Sequence, residues 1–158
     1  AQKTADLARS FNMEIMAFDP FLDKKSSAWN NVENVDLEKL LKSSDVISVH
    51  TPLSESTRHL INSTNLNFMK KTAVIINAAR GGVIDDKALS EKLRKDEIKG
   101  AALDVFETEP MNVNSGSYFH GLKNVILTPH IAGVTEESNV NVSAMIADKI
   151  DQHLSNSI

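Results

Sequence analysis

The sequence predicts an α/β protein: a doubly wound parallel sheet with helices on both faces, in three αβα layers. Short apolar runs rich in β-branched residues alternate with amphipathic helical segments along the chain, which is the pattern of successive βαβ units. The runs are apolar at nearly every position, as expected for strands that are buried on both faces. With 158 residues, the chain has the size of one domain.

Five strands are predicted, each an apolar run that ends in turn residues. They cover residues 14–18, 46–49, 73–76, 98–103 and 125–127. Amphipathic segments separate most of these strands, and one follows the last strand. Residues 111–121 show neither the helical nor the strand periodicity. That segment is predicted to be the one long irregular connection.

Five helices are predicted at residues 2–12, 36–43, 64–69, 86–95 and 135–155. Asp36 and Asp85 stand where a carboxylate can accept hydrogen bonds from the first backbone N–H groups of a helix. The last helix carries an apolar stripe on one face, formed by Val142, Met145, Ile146, Ile150 and Leu154.

Composition excludes several classes of function. A net charge of −4 and a pI near 5.7 provide no basic surface for nucleic acid. The absence of cysteine excludes disulfides, thiolate metal sites and cysteine nucleophiles, and it is compatible with the cytoplasm, where we expect the protein. No apolar run approaches the ~20 residues of a membrane span, and no cluster has the spacing of metal ligands.

Three motifs place reactive side chains at or just past the carboxyl ends of three predicted strands. They are NAARGG at 77–82, DVFETEP at 104–110 and LTPHIAG at 127–133, and they contribute Arg80, Glu109 and His130. Ligands bind at this edge of an open parallel sheet. A cation, a carboxylate and an imidazole gathered there indicate a site that holds an acid and moves a proton.

These motifs, together with HTPL at 50–53 and TRHLI at 57–61, resemble the NAD-binding domain of the D-isomer-specific 2-hydroxyacid dehydrogenases. The resemblance runs from Ala1 to about Leu154. It implies a Rossmann-like fold and hydride transfer between NAD(H) and a small D-2-hydroxy acid or 2-oxo acid. It also implies a homodimer formed through this domain, with residues 85–95 and 111–121 as candidate contacts.

The family's fingerprint G-x-G-x-x-G/A precedes its first helix. Because the first helix here begins at residue 1 or 2, Ala1 falls on the last fingerprint position. We therefore expect the first strand, the glycine-rich loop and the substrate-binding domain to lie outside this chain, so that residues 1–158 form a partial NAD-binding domain that is inactive alone. The missing central strand predicts a gap between the strands at 14–18 and 73–76.

The resemblance also implies the catalytic roles. Arg80 would bind the substrate carboxylate and polarise the neighbouring carbonyl. His130 would exchange the proton, and Glu109 would orient the imidazole and favour its charged form. Glu107 is predicted to be a solvated neighbour, and the histidines outside the motifs are predicted to be surface or packing residues: His59, His120 and His153.

For the cofactor, Asp19 is expected to bind the adenine ribose hydroxyls and to favour NAD over NADP; a turn-forming aspartate before proline is the alternative. Asp104 is expected at the nicotinamide carboxamide, or else as a loop cap. Phe21 is assigned equally to the adenine pocket and to the core. Arg80 and His130 are also expected near the cofactor, as are His50, Thr51, Pro52, Ala78, Ala79 and Gly133, although His50 could equally be a turn residue.

A hypothesis from another class also remains open at this point. Some relatives of the family use this domain as a dinucleotide-sensing corepressor module without significant turnover, and such proteins can retain the same three catalytic residues.

Overall fold

Parallel strands form the centre of the molecule, in two sheets. The computed structural model describes residues 1–155. Strands β1 (Met16–Ala17) and β2 (Glu33–Asn34) pair with each other. The other four form one sheet in chain order: β3 (Val46–Val49), β4 (Val74–Asn77), β5 (Gly100–Leu103) and β6 (Val125–Leu127). All of these pairings are parallel, so the predicted α/β class is confirmed.

The α-helices precede or follow the strands, and all of those in residues 1–155 except α5 overlap a predicted helix. They are α1 (Gln2–Arg9), α2 (Leu37–Ser43), α3 (Ser63–Leu66), α4 (Asp86–Arg94), α5 (Val113–Ser117) and α6 (Glu136–Ser155). The two predicted caps are confirmed: Asp36 accepts a hydrogen bond from the backbone N–H of Lys39 at 2.7 Å, and Asp85 accepts one from Ala88 at 2.9 Å.

The segment 111–121 is not wholly irregular, because it contains α5. Asn112 accepts hydrogen bonds from the first backbone N–H groups of α5, and the Ser115 side chain accepts one from the Asn112 backbone in return. This reciprocal pair satisfies donors that a short helix would otherwise leave unpaired. Asn112 and Ser115 therefore stabilise the start of a helix in a segment that has no helical hydrophobic pattern.

The core lies on one face of the four-stranded sheet, against α2, α3 and α4. Leu41 of α2, Ile75 of β4 and Leu89 of α4 are fully buried there. The other face, which the apolar runs predict to be covered as well, is exposed at Val46, Ile76 and Ile126. No residue of α1 or α6 is buried, so the apolar stripe of α6 faces solvent. Among residues 1–155, no helix has the length and hydrophobicity needed to cross a membrane.

The predicted position of the gap is wrong by one strand. β4 lies inside the four-stranded sheet, between β3 and β5, and β3 is an edge strand of that sheet. The error arises because β2 was not predicted: Glu33 and Asn34 are both exposed and have no apolar pattern. β2 is the strand that pairs with β1, whereas β3 pairs with β4.

Candidate active site

The three motifs meet at one edge of the sheet. Asn77 at the end of β4 is in register with Leu103 of β5, and Leu103 is in register with Leu127 of β6. Because the strands are parallel and adjacent, the loops that follow them start side by side. The structure thus confirms that these strands adjoin and end at the same edge.

Asn77 shapes the loop that presents Arg80. Its side chain is buried, its amide Nδ2 donates to the backbone carbonyl of Arg80 at 3.0 Å, and its Oδ1 accepts from Ala79 N–H at 3.0 Å. The exposed Arg80 guanidinium donates from Nη1 to the Ala79 carbonyl at 2.7 Å. A guanidinium has five N–H donors. Within the described part of the chain, the Arg80 side chain uses one of them in this hydrogen bond, so the others are available to a ligand. Asn77 had no predicted role; a buried amide at a strand end was the available signal.

Glu109 and His130 form the pair that the motifs predict. Glu109 Oε2 lies 2.7 Å from His130 Nδ1, and Oε1 accepts from Phe106 N–H at 2.8 Å. Burial is the largest single influence on the Glu109 pKa and raises it, but the hydrogen bonds from His130 and Phe106 and the charge of His130 together outweigh it. The Glu109 pKa therefore lies below its ordinary value, and the carboxylate stays ionised. With Nδ1 facing Glu109, Nε2 is the ring nitrogen left for a ligand.

Asp104 holds the loop that carries His130. The buried carboxylate accepts hydrogen bonds from Thr128 Oγ1 at 2.5 Å and from the backbone N–H groups of Ile131 and Ala132, both at 2.9 Å. Burial raises the Asp104 pKa, but these hydrogen bonds and nearby His130 outweigh it, so the pKa is lowered. His130 has a φ of 56°, a left-handed conformation that few non-glycine residues adopt. Asp104 thus acts as a loop cap, and its contact with a cofactor stays a prediction.

A cleft of about 420 Å³ lies beside the Arg80 loop. It brings together six residues that were predicted to contact the cofactor: His50, Thr51, Pro52, Ala78, Ala79 and Arg80. His50 Nε2 is 3.0 Å from Ser48 Oγ. Partial burial is the main cause of a lowered His50 pKa.

Asp19 and Gly133 do not line the cleft. Asp19 Oδ1 accepts from the backbone N–H groups of Phe21 and Leu22 at 2.9 and 3.1 Å, which is the turn-forming role; a ribose contact stays a prediction. Phe21 is 79% exposed, so it is not a core residue. At Gly133 an added Cβ would meet nothing within 4 Å in the described part of the chain, so packing does not require glycine there.

Glu107 and His59 are surface residues as predicted, but both have side-chain partners that the sequence did not indicate. Glu107 is not merely solvated, because its Oε1 accepts a hydrogen bond from Arg58 Nη2 at 3.0 Å and lies 2.7 Å from His59 Nε2. His59 likewise has a carboxylate partner. The TRHLI motif contained the signal, a cationic residue followed by a histidine, but the partner stands about 48 residues away. Across residues 1–155, no group of histidine and acidic side chains is arranged to hold a metal ion.

Comparison with known proteins places these features in a family. Residues 1–132 match the model of the D-isomer specific 2-hydroxyacid dehydrogenase, NAD binding domain. The (S)-sulfolactate dehydrogenase of Chromohalobacter salexigens is 44% identical over 155 residues, which are 98% of this chain and 50% of that protein.

Two solved structures have the same fold. The D-lactate dehydrogenase of Aquifex aeolicus, complexed with NAD and lactic acid, has a TM-score of 0.82 at 29% identity, with 98% of this chain and 50% of that one covered. An acyclic imino acid reductase in complex with NADPH and D-Arg has a TM-score of 0.84 at 31% identity, covering 98% of this chain and 48% of that one.

The chain spans half or less of the length of the curated relatives that it matches. The family match nevertheless covers most of the chain and includes Arg80, Glu109 and His130. The chain therefore belongs to the D-isomer specific 2-hydroxyacid dehydrogenase family and matches its NAD-binding domain.

Proposed function

We propose that the protein is an NAD-dependent dehydrogenase that transfers a hydride between NAD(H) and a small D-2-hydroxy acid or 2-oxo acid. The observation that carries this proposal is the 2.7 Å contact between Glu109 and His130. The loop that bears Glu109 packs against the loop that bears Arg80. An added Cβ on Gly81 would lie 1.7 Å from the Phe106 carbonyl oxygen, so the two loops touch through their backbones.

Each side chain then has a separate task. The free N–H groups of Arg80 suit a carboxylate and the oxygen on the next carbon, which a planar guanidinium can bind as a fork. In the oxidation of a hydroxy acid, His130 Nε2 accepts the hydroxyl proton, and in the reduction of a 2-oxo acid it returns that proton to oxygen. Ionised Glu109 stabilises the imidazolium that results.

The cleft fits the cofactor that the family implies. The small side chains of Ala78 and Ala79 leave room beside Arg80. Asp19 Oδ2 has no hydrogen bond in the described part of the chain and could accept one from a ribose hydroxyl. A negative charge there disfavours a 2′-phosphate, so NAD is preferred over NADP. When bound, the nicotinamide supplies or accepts the hydride.

The test is a turnover assay on the full-length protein with NADH and a panel of 2-oxo acids: glyoxylate, hydroxypyruvate and pyruvate. His130→Ala should lower turnover by ~10²-fold or more, because the proton then lacks its donor and acceptor. Lys71→Ala is the control, since Lys71 is exposed and precedes β4, at the end of that strand opposite the site, and this variant should keep full activity. Binding of NADH without turnover of any 2-oxo acid would refute the enzyme proposal.

That outcome would instead favour the dinucleotide-sensing module, which no observation on this chain supports at present. Homodimerisation through this domain is part of the proposal and is checked by light scattering on the encoded protein. A monomer at all concentrations tested would count against it.

A further inference from the structure

A second cluster of charged side chains lies next to the candidate active site and has no role in the proton transfer. At its centre is Glu107, whose Oε1 contacts Arg58 Nη2 at 3.0 Å and His59 Nε2 at 2.7 Å. The Glu107 side chain is 27% exposed and that of Glu109 is 34% exposed. A fully solvated ion pair contributes little, but here one carboxylate oxygen is shared by two cationic or N–H-donating groups and is partly shielded from water.

The backbone of Glu107 is held as well. Its N–H donates to Asp86 Oδ2 at 2.8 Å, and Asp86 is only 5% exposed at the first turn of α4. Burial is the largest influence on the Asp86 pKa and raises it to about 6. Side chain and backbone of Glu107 are therefore fixed by two different elements.

These contacts determine where Glu109 can lie. The residue before Glu107 is Phe106, whose N–H donates to Glu109 Oε1 at 2.8 Å. Glu109 Oε2 in turn contacts His130 Nδ1. A shift of the 106–107 backbone would move the carboxylate that orients the imidazole.

The same cluster reaches the Arg80 loop. His59 N–H donates to the Gly82 carbonyl at 2.8 Å, and Gly81 abuts Phe106 with no room for a side chain. The segment that carries Arg58 and His59 is thus bonded both to the loop of Arg80 and to the loop of Glu109.

We propose that Glu107 is a positioning residue: through Arg58 and His59 it holds the Glu109 loop against the Arg80 loop, so that the proton-transfer pair and the substrate-binding cation keep one relative geometry. Its effect on turnover rests on the proposed dehydrogenase function. Its effect on the Glu109–His130 contact does not, and can be measured in the absence of substrate.

Three variants test this role. Glu107→Ala removes the shared acceptor, Glu107→Gln restores a neutral oxygen acceptor of the same length, and Thr108→Ala is the control, because Thr108 is the exposed next residue on the same loop. The imidazole nitrogens of His130 are observed by long-range ¹H–¹⁵N NMR, and urea unfolding verifies that each variant is folded.

We expect Glu107→Ala to change the Nδ1 signal of His130, Glu107→Gln to restore most of it, and Thr108→Ala to leave it unchanged. In the turnover assay, Glu107→Ala should lower kcat by about 10-fold or more at nearly constant KM for NADH, since a 1 Å misplacement can cost ~10²-fold.

An unchanged His130 signal in folded Glu107→Ala would overturn the positioning role. If Glu107→Ala does not fold, the decision passes to Glu107→Asp, whose carboxylate is one methylene too short to keep both contacts: a changed His130 signal supports the role, and an unchanged one refutes it. Absence of turnover in the unsubstituted full-length protein would refute the dehydrogenase proposal alone, since the NMR result does not depend on turnover.

Discussion

Replacing Gly81 by alanine should separate the two loops that form the candidate site. The added Cβ would lie 1.7 Å from the Phe106 carbonyl oxygen and 2.2 Å from its carbon. A tolerable contact needs about 3.0 Å or more, so the backbones must move apart by more than 1 Å. Both partners are backbone, which cannot rotate away as a flexible side chain can. We therefore expect a cost near the upper end of the ~1–3 kcal/mol typical of overpacking.

Alanine also restricts the unfolded chain, which offsets up to about 1 kcal/mol. The net loss is then about 2 kcal/mol, or a fall in Tm of roughly 4–8 °C for a chain of this size. Urea unfolding followed by circular dichroism measures the free energy, and differential scanning calorimetry measures the Tm.

Gly116→Ala is the matched control for the Gly81 variant. Gly116 lies within α5, and an added Cβ there meets nothing within 4 Å. Alanine in a helix is favoured over glycine by roughly 0.5–1 kcal/mol, so this variant should be slightly stabilised. If Gly81→Ala proved as stable as the unsubstituted protein, the backbone contact would not be close-packed and the argument for coupled loops would fail.

Two further predictions concern carboxylates. Asp86 has a pKa of about 6 in the folded chain against an ordinary 3.8, so the folded state binds its proton more tightly and loses stability as pH rises from about 4 to about 6. Asp86→Asn keeps an oxygen for the Glu107 N–H and should be more stable near pH 7 by at most about 3 kcal/mol; identical pH dependence in urea unfolding would contradict this. Asp19→Asn keeps the acceptor of the Phe21 and Leu22 turn but removes the charge. The affinity ratio of NADPH to NADH should rise about five-fold, from ~1 kcal/mol of lost repulsion, and an unchanged ratio in fluorescence titrations would exclude Asp19 from the ribose site.

Local patterns were sufficient for most helices and strands. Asp36 and Asp85 were identifiable as caps because a cap depends on hydrogen bonds within three residues of chain. The strand at β6 was predicted over the same residues that form it, Val125–Leu127. β2 escaped prediction because Glu33 and Asn34 form a strand through pairing with β1, at Met16 and Ala17, and not through any preference of their own.

Residues at the strand ends were also identifiable, but their partners were only partly so. Glu109 and His130 could be paired from motif resemblance. The pairing of Glu107 with His59, and the hydrogen bonds from Asp104 to the loop of His130, join residues far apart in the chain. Neither the hydrophobic periodicity of the sequence nor the spacing of its motifs indicates such contacts.

The sequence by itself determined the α/β class, the parallel order of β4 to β6 and the edge of the sheet where Arg80, Glu109 and His130 stand, because hydrophobic period and strand-end position are local properties. Tertiary structure alone decided which strand forms the open edge, which carboxylates are anchored and which way His130 faces. These depend on distant backbones brought within hydrogen-bonding distance, as where Gly81 meets Phe106. The physical reason is that burial and hydrogen bonding act through space, and the chain brings those groups together only once it has folded.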